Sequence, residues 1–149
     1  MIDHVWTVIC SRAIIDRDSN NVSMQEVIEQ VNIRSKPEPD GFLVFPLVAV
    51  TLWARANPDE PGRAQTLLTF WSPSGKLLGS FEHGIDLSEY ERLRSRRHFD
   101  GLPVTEPGRH VFRMEIQNEG ESEWRQVAAI PLSIDFQPLE TEQAESESK

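Results

Sequence analysis

The chain has 149 residues, enough to bury a core and of a size for one domain, and its single cysteine, Cys10, excludes an intramolecular disulfide and any zinc site built on paired cysteines. Acidic residues number 24 against 15 basic ones, giving a net charge of −9, which argues against a general nucleic-acid binder because such affinity rests on lysine and arginine neutralising phosphate. No apolar run reaches the ~20 residues of a membrane span, and Met1 to Trp6 lacks the basic start and apolar stretch of a secretory signal, so a cytoplasmic protein without membrane attachment is expected.

Val5 to Ile15 is rich in β-branched residues on both alternating faces, with Trp6, Val8, Cys10 and Ile14 on one and Val5, Ile9, Ala13 and Ile15 on the other. That pattern predicts a central strand covered on two sides. Asp16 to Asn21 follows as a turn. Ser23-Met24-Gln25-Glu26 has the form of a helix capping box, and Met24, Val27, Ile28 and Val31 fall at helical spacing, so residues 22–31 read as a short helix on pattern alone. Arg34 to Gly41 is a loop, since two prolines and a glycine leave no continuous ladder. Phe42 to Phe45 is extended, and Pro46 marks the start of a strand over Leu47 to Arg55. A loop over Asn57 to Gly62 leads to a strand at Thr66 to Trp71. Ser72 to Lys76 is a hairpin turn into Leu77 to Ile85.

Leu87 to Phe99 offers few apolar residues for a helix to dock. It reads as a helical turn over 87–91 passing into an edge strand over 93–99, where charged residues discourage pairing with another chain. Gly101-Leu102-Pro103-Val104-Thr105-Glu106-Pro107-Gly108 is punctuated as a rigid turn. Behind it Phe112, Met114 and Ile116 alternate with polar neighbours, Asn118 to Glu121 turns the chain, and Trp124, Ala128, Ile130, Leu132, Ile134 and Phe136 share a side. These two runs predict an antiparallel hairpin. Residues 137–149, carrying Glu140, Glu142, Glu145 and Glu147, are too polar to offset their ordering entropy and read as a disordered acidic tail.

The expected architecture is therefore an all-β, antiparallel β-sandwich of seven to eight strands over residues 1–136, followed by the acidic tail over 137–149. Its core is expected to draw on Trp6, Val8, Ile14, Ile28, Val50, Leu52, Leu68, Phe70, Phe81, Phe112, Met114, Ile116, Ala128, Ile130 and Leu132.

Val22 to Val31, then Phe45-Pro46-Leu47 entering a strand that ends in Leu52-Trp53-Ala54-Arg55, then the Gly101 to Gly108 turn before an aromatic strand, together resemble a family of small bacterial proteins carrying only a domain of unknown function. The resemblance spans residues 4–135 and is most specific in the Gly-Leu-Pro to Glu-Pro-Gly turn. It implies an immunoglobulin-like or C2-like sandwich in which residues 22–31 are extended rather than helical. It implies no catalytic residues.

Candidate sites are few. Asp16-Arg17-Asp18-Ser19-Asn20 opens like a calcium loop, but Asn21 stands where the bend needs glycine and Val27 where the bidentate glutamate belongs, so an Asx-type turn is expected. A C2-like calcium site would also need Asp59 or Asp86 to converge with it. His4, His83, His98 and His110 show no metal-ligand spacing, and Cys10 reads as an unreactive core thiol. Trp6, Trp53, Trp71 and Trp124 read as core and rim residues. No cofactor, metal or catalytic residue is expected. The one basic concentration, Arg92, Arg94, Arg96, Arg97 and His98, is a candidate anion or partner contact, with Arg94, Arg96 and His98 on one face and Arg97 on the other. The sequence thus points to a non-catalytic module that binds a protein or small-molecule partner through loops or this edge. The alternative is an enzyme, such as a metal-dependent hydrolase, whose site converges from distant residues such as His83, His98 and Asp86. A third class, reversible membrane attachment, requires a basic or calcium-loaded face.

Overall fold

The computed structural model describes residues 1–34 and 41–137, apart from the side chains of Leu43 and Val44. Most of the expected Arg34 to Gly41 loop, and the acidic tail from Pro138 on, lie outside the described residues. Those described form nine strands and no helix: β1 (Ile2–Ile15), β2 (Val22–Val27), β3 (Gln30–Ile33), β4 (Phe42–Arg55), β5 (Gly62–Trp71), β6 (Leu77–Leu87), β7 (Arg92–Pro103), β8 (Gly108–Asn118) and β9 (Arg125–Phe136). A four-stranded sheet in the order β2-β1-β4-β7 packs on a five-stranded sheet in the order β3-β9-β8-β5-β6. The all-β sandwich is as expected, with one more strand than the upper expectation and one parallel pair, β3 with β9.

The core lies between the sheets, where alternate residues of β5 and β8 (Leu68 and Phe70, Phe112, Met114 and Ile116) meet Ile9, Leu47, Trp53 and Phe99 of the other sheet. The two-sided reading of β1 holds from Trp6 to Cys10, whereas Val5 is 49% exposed and Ala13, expected on the face of Ile9, packs with the cluster of Cys10. Ile9 belongs to this core, whereas Cys10 packs with Val48 and Val50 in a second apolar cluster joined by Trp6, Val8, Ala13 and Met24. That cluster sits on the opposite face of the four-stranded sheet. Cys10 and Val50 are each 0% exposed, so the outer face is sealed locally, and burial of the Cys10 thiol in apolar surroundings raises its pKa. Leu52 is half-buried, and Ile14, at 38% exposed, is not a core residue. Beyond Cys10 the strand stops pairing with β4, which leaves Ile14 without that neighbour.

Residues 22–31 run through β2 into β3, extended as the resemblance implies, and the helix suggested by their spacing is not formed. Only Val22, Val27, Ile28 and Val31 are β-branched, but Glu26 adopts a left-handed backbone (φ 54) that no α-helix tolerates. This kink decides the packing. Met24 joins the outer cluster, Ile28 enters the inter-sheet core, and the chain crosses from β2 in one sheet to β3 in the other. The helical turn over 87–91 is likewise absent: Leu87 ends β6 fully buried, and Tyr90 is 66% exposed with nothing to dock against. The bend is instead held by Ser88 N–H donating to Asp86 Oδ1 (2.9 Å) and by Arg55, whose Nε and Nη2 donate to the carbonyls of Leu87 (2.9 Å) and Ser88 (3.2 Å).

The edge strand is formed and extends to Pro103, so Gly101 to Pro103 are ladder residues and only 104–107 connect β7 to β8. Glu106 in that connection has a structural role. Its Oε1 accepts from Ser74 N–H (3.1 Å) and Ser74 Oγ (2.6 Å), pinning the β5–β6 turn, and these hydrogen bonds hold its pKa low. The β8–β9 hairpin is antiparallel as predicted, although Trp124 lies in the loop before β9.

Candidate functional site

β7 is the outermost strand of its sheet, so one side of its backbone has no strand neighbour. Its register against β4 sets Arg92 opposite Ala54, Arg94 opposite Leu52, Arg96 opposite Val50 and His98 opposite Val48. All four share the outer face with the second apolar cluster, as alternation demands. Arg97 is opposite Ala49 on the inner face, and its guanidinium caps the Phe81 ring of β6 at 4.6 Å, closing the seam between the two sheets.

The five basic residues therefore divide by task. Arg97 is a seam residue. Arg94 is half-buried and holds the β1–β2 arm, its Nη2 donating to Asn20 O (2.7 Å) and Asn20 Oδ1 (3.4 Å), while its buried Nε has no acceptor among the described residues. Asn20 presents that carbonyl from a left-handed backbone (φ 60), a conformation asparagine accepts more readily than most residues. Arg92, Arg96 and His98 are exposed, and their side chains make no hydrogen bond or ion pair among the described residues. Where the arm tip leans toward the start of β7, a groove of about 400 Å³ opens between Trp6, Leu52, Arg92 and Arg94 on one side and Ser19 to Val22 on the other. Trp6 and Asn20 were not legible as site residues, because nothing local announces that a turn at residue 20 folds back onto a strand at residue 94.

The other candidates do not assemble. Asp16 accepts from Ser19 N–H (3.2 Å) and Ser19 Oγ (2.6 Å), an Asx-type turn that lowers its pKa. Asp86 is committed to Ser88 and to Arg63 (3.5 Å). His83 pairs with Thr66 and Asp86 with Arg63, so the two lie on opposite faces of β6, while His98 lies on the far side of the other sheet. The His83, His98 and Asp86 trio is not brought together. Among the described residues no three histidine, cysteine or acidic side chains cluster as metal ligands would, and none forms a helix long and apolar enough to cross a membrane.

Two histidines are instead structural. His110 is fully buried beside Phe70, with ring centroids 5.3 Å apart. Its Nδ1–H donates to Gly108 O (3.1 Å), which leaves Nε2 as a buried lone pair with no partner among the described residues. Burial lowers its pKa, opposed by the Gly108 carbonyl and the Glu106 charge. His4, bonded to Thr7 Oγ1 (2.7 Å), is lowered by burial as well. Both favour the neutral ring when folded, so the unfolded chain binds more protons below its ordinary value of 6.5. Stability is therefore expected to be complete above that pH and to fall as pH drops from 6.5 toward the folded-state values. The lowered carboxylates Asp16, Asp86 and Glu106 act only at more acid pH. Denaturant midpoints at pH 7.5, 6.5 and 5.5 check this, and an H4Q/H110F double variant should flatten the decline between the last two.

No protein-family model matches the chain, and no curated protein matches it. Among solved structures it is similar to a part of dimeric latent PorU from Porphyromonas gingivalis, at 16% identity and a TM-score of 0.40 over 60% of this chain and 8% of that one. It is also similar to part of the alkylpurine DNA glycosylase AlkC of Pseudomonas fluorescens, bound to DNA containing an abasic site analog, at 11% identity and 0.35 over 87% of this chain and 30% of that one. The N-terminal domain of PorA matches at 11% identity and 0.33, over 90% of this chain and 99% of that one. The chain thus spans less than a third of the first two. All three likenesses are remote, and no family, activity or partner is taken from them. Fold and site define an all-β two-sheet sandwich with a basic edge strand.

Proposed function

We propose that this protein is a non-catalytic interaction module of immunoglobulin-like type that holds acidic partners on the outer face of β7. The observation that carries the reading is the row Arg92, Arg96 and His98, exposed and unpaired among the described residues on the open edge of a chain whose net charge is −9. Such a row attracts carboxylates by complementary charge while the rest of the surface repels them. The immunoglobulin-like reading is supported by topology. β4 neighbours β7 in one sheet and β5, β8 and β9 are neighbours in the other, the order of strands B, E and C, F, G in that fold, here without its inter-sheet disulfide.

The chain's own acidic tail is the first candidate occupant. It leaves after Gln137, whose N–H donates to Ile33 O (2.6 Å), at the end of the sandwich where β7 finishes and β8 begins. Twelve residues reach at most about 40 Å, and His98 and Arg96 lie roughly 17–23 Å along β7 from Pro103, to which the crossing from β9 in one sheet to β7 in the other adds at least about 10 Å, so of the tail's glutamates only Glu145 and Glu147 extend far enough to approach them. Each exposed contact is expected to change binding by only about 1.4- to 5-fold and to fade with salt.

Deleting residues 138–149 is expected to leave thermal stability nearly unchanged while strengthening salt-sensitive retention on an anionic resin, with the gain abolished by R96E. Fluorescent polyglutamate should bind the shortened protein at low salt and release above about 0.15 M. No binding by the shortened protein, or binding unaltered by an R92E/R96E double variant, would overturn the reading.

A further inference from the structure

The groove between the β1–β2 arm and the start of β7 differs in chemistry from the rest of the basic row. At the Arg96 and His98 end the apolar residues opposite the basic side chains, Val50 and Val48, are almost fully covered. At the Arg92 and Arg94 end the same cations stand beside Trp6 and the half-buried Leu52, with the polar groups of Asn20 and Asn21 across a gap of about 400 Å³. Its position also sets it apart. Arg92 lies eleven residues before Pro103, about 36 Å along the strand, so the tail has crossed nearly its whole reach before arriving there. This end is left for a partner.

We infer that the groove is a binding site for an acidic peptide segment of another protein in which a glutamate or aspartate stands next to an apolar residue. The inference deepens the proposed function and rests on it. In this arrangement the carboxylate lies against the guanidinium of Arg92, which has no partner among the described residues, and the neighbouring apolar side chain covers Trp6 and Leu52. Arg94 contributes charge while its Nη2 stays on Asn20, so the arm tip that walls the groove remains in place. Charge brings any acidic chain to the row. The apolar floor selects among them, because a purely acidic segment leaves Trp6 and Leu52 uncovered and a purely apolar one leaves the cations unanswered.

The test uses the full chain and three fluorescein-labelled pentapeptides, Glu-Leu-Glu-Leu-Glu, Glu-Glu-Glu-Glu-Glu and Gln-Leu-Gln-Leu-Gln, titrated by anisotropy at low salt, with nitrogen-15 spectra following the indole N–H of Trp6. The expected result is at least tenfold tighter binding of the alternating acidic peptide than of either control. That binding should fall at least tenfold in R92E, change less than threefold in R96E, and move the Trp6 indole resonance. R92E changes an exposed side chain and leaves the fold intact, and the Trp6 resonance reads the groove in the unaltered protein. Equal binding of both acidic peptides, weakened alike by R92E and R96E with Trp6 unmoved, would overturn the groove and leave the charged row standing. Absence of binding by all three would overturn the groove, and absence of binding also by the chain lacking residues 138–149 would overturn the charged row. Displacement by inorganic phosphate at concentrations where sodium chloride of equal ionic strength has no effect would assign the groove to phosphate and overturn the peptide site.

Discussion

Replacing Trp53 by alanine is expected to cost about 3–5 kcal/mol, the range for emptying a fully buried indole site, against a total stability on the order of 5–15 kcal/mol for a protein of this size. Trp53 is 0% exposed and stands where β1, β4 and β7 meet. Its ring receives His4 edge-on at 5.4 Å, and its Nε1–H donates to Ser95 Oγ (3.1 Å). Alanine at this position removes the apolar contacts of an aromatic ring and leaves the Ser95 hydroxyl without its donor. W124A is the matched control. Trp124 lies in an exposed loop, and its removal is expected to change stability by no more than about 0.5 kcal/mol. Denaturant unfolding of both variants at pH 7.5 gives the comparison. A W53A midpoint within error of the W124A midpoint would show that Trp53 does not fill the inter-sheet core.

The second large effect is expected at Asn118, the last residue of β8. Its Oδ1 accepts from the Ile2 N–H (2.7 Å) and its Nδ2 donates to the Ile2 carbonyl (3.3 Å), so one side chain pairs with a backbone as a neighbouring strand would. Both partners are buried, Ile2 completely. Leucine is close to asparagine in size but answers neither group, and N118L therefore strands a buried donor and a buried acceptor. At roughly 1–3 kcal/mol for each unsatisfied group, a loss of about 2–6 kcal/mol is expected. The effect should be local as well as global, because the start of β1 frays before the sandwich opens. Hydrogen exchange should show early loss of protection at Ile2 to His4 in N118L while β5 and β8 keep theirs. Uniform loss across all strands, or none at Ile2, would contradict this role.

The charge reading of β7 shows how sequence and structure divide the information. Alternation alone placed Arg94, Arg96 and His98 on one face and Arg97 on the other, and the structure agrees, because a strand's side chains point up and down with period two whatever surrounds them. What each cation does there was not legible. Arg94 is committed to Asn20, which is 74 residues away, and Arg97 to Phe81 on the other sheet. Both assignments depend on long-range placement that no local pattern encodes.

The all-β class, the two-sided character of Trp6 to Cys10, the β5–β6 and β8–β9 hairpins and the edge position of β7 were legible in the sequence. Each follows from local chemistry: alternation, β-branched content, turn residues and charge. Where residues 22–31 pack was settled by the tertiary structure, although the resemblance already implied that they are extended. Met24, Val27, Ile28 and Val31 satisfy a helical period, yet the left-handed backbone at Glu26 sends Met24 to one apolar cluster and Ile28 to another. Spacing reports that residues are apolar at intervals, and it cannot report that two different surfaces compete for them. The same holds for the groove at Arg92, whose walls come from β1, the β1–β2 turn, β4 and β7. It exists because the β1–β2 arm leaves its sheet and comes to rest against a strand far along the chain, a matter of packing between elements and not of any one of them.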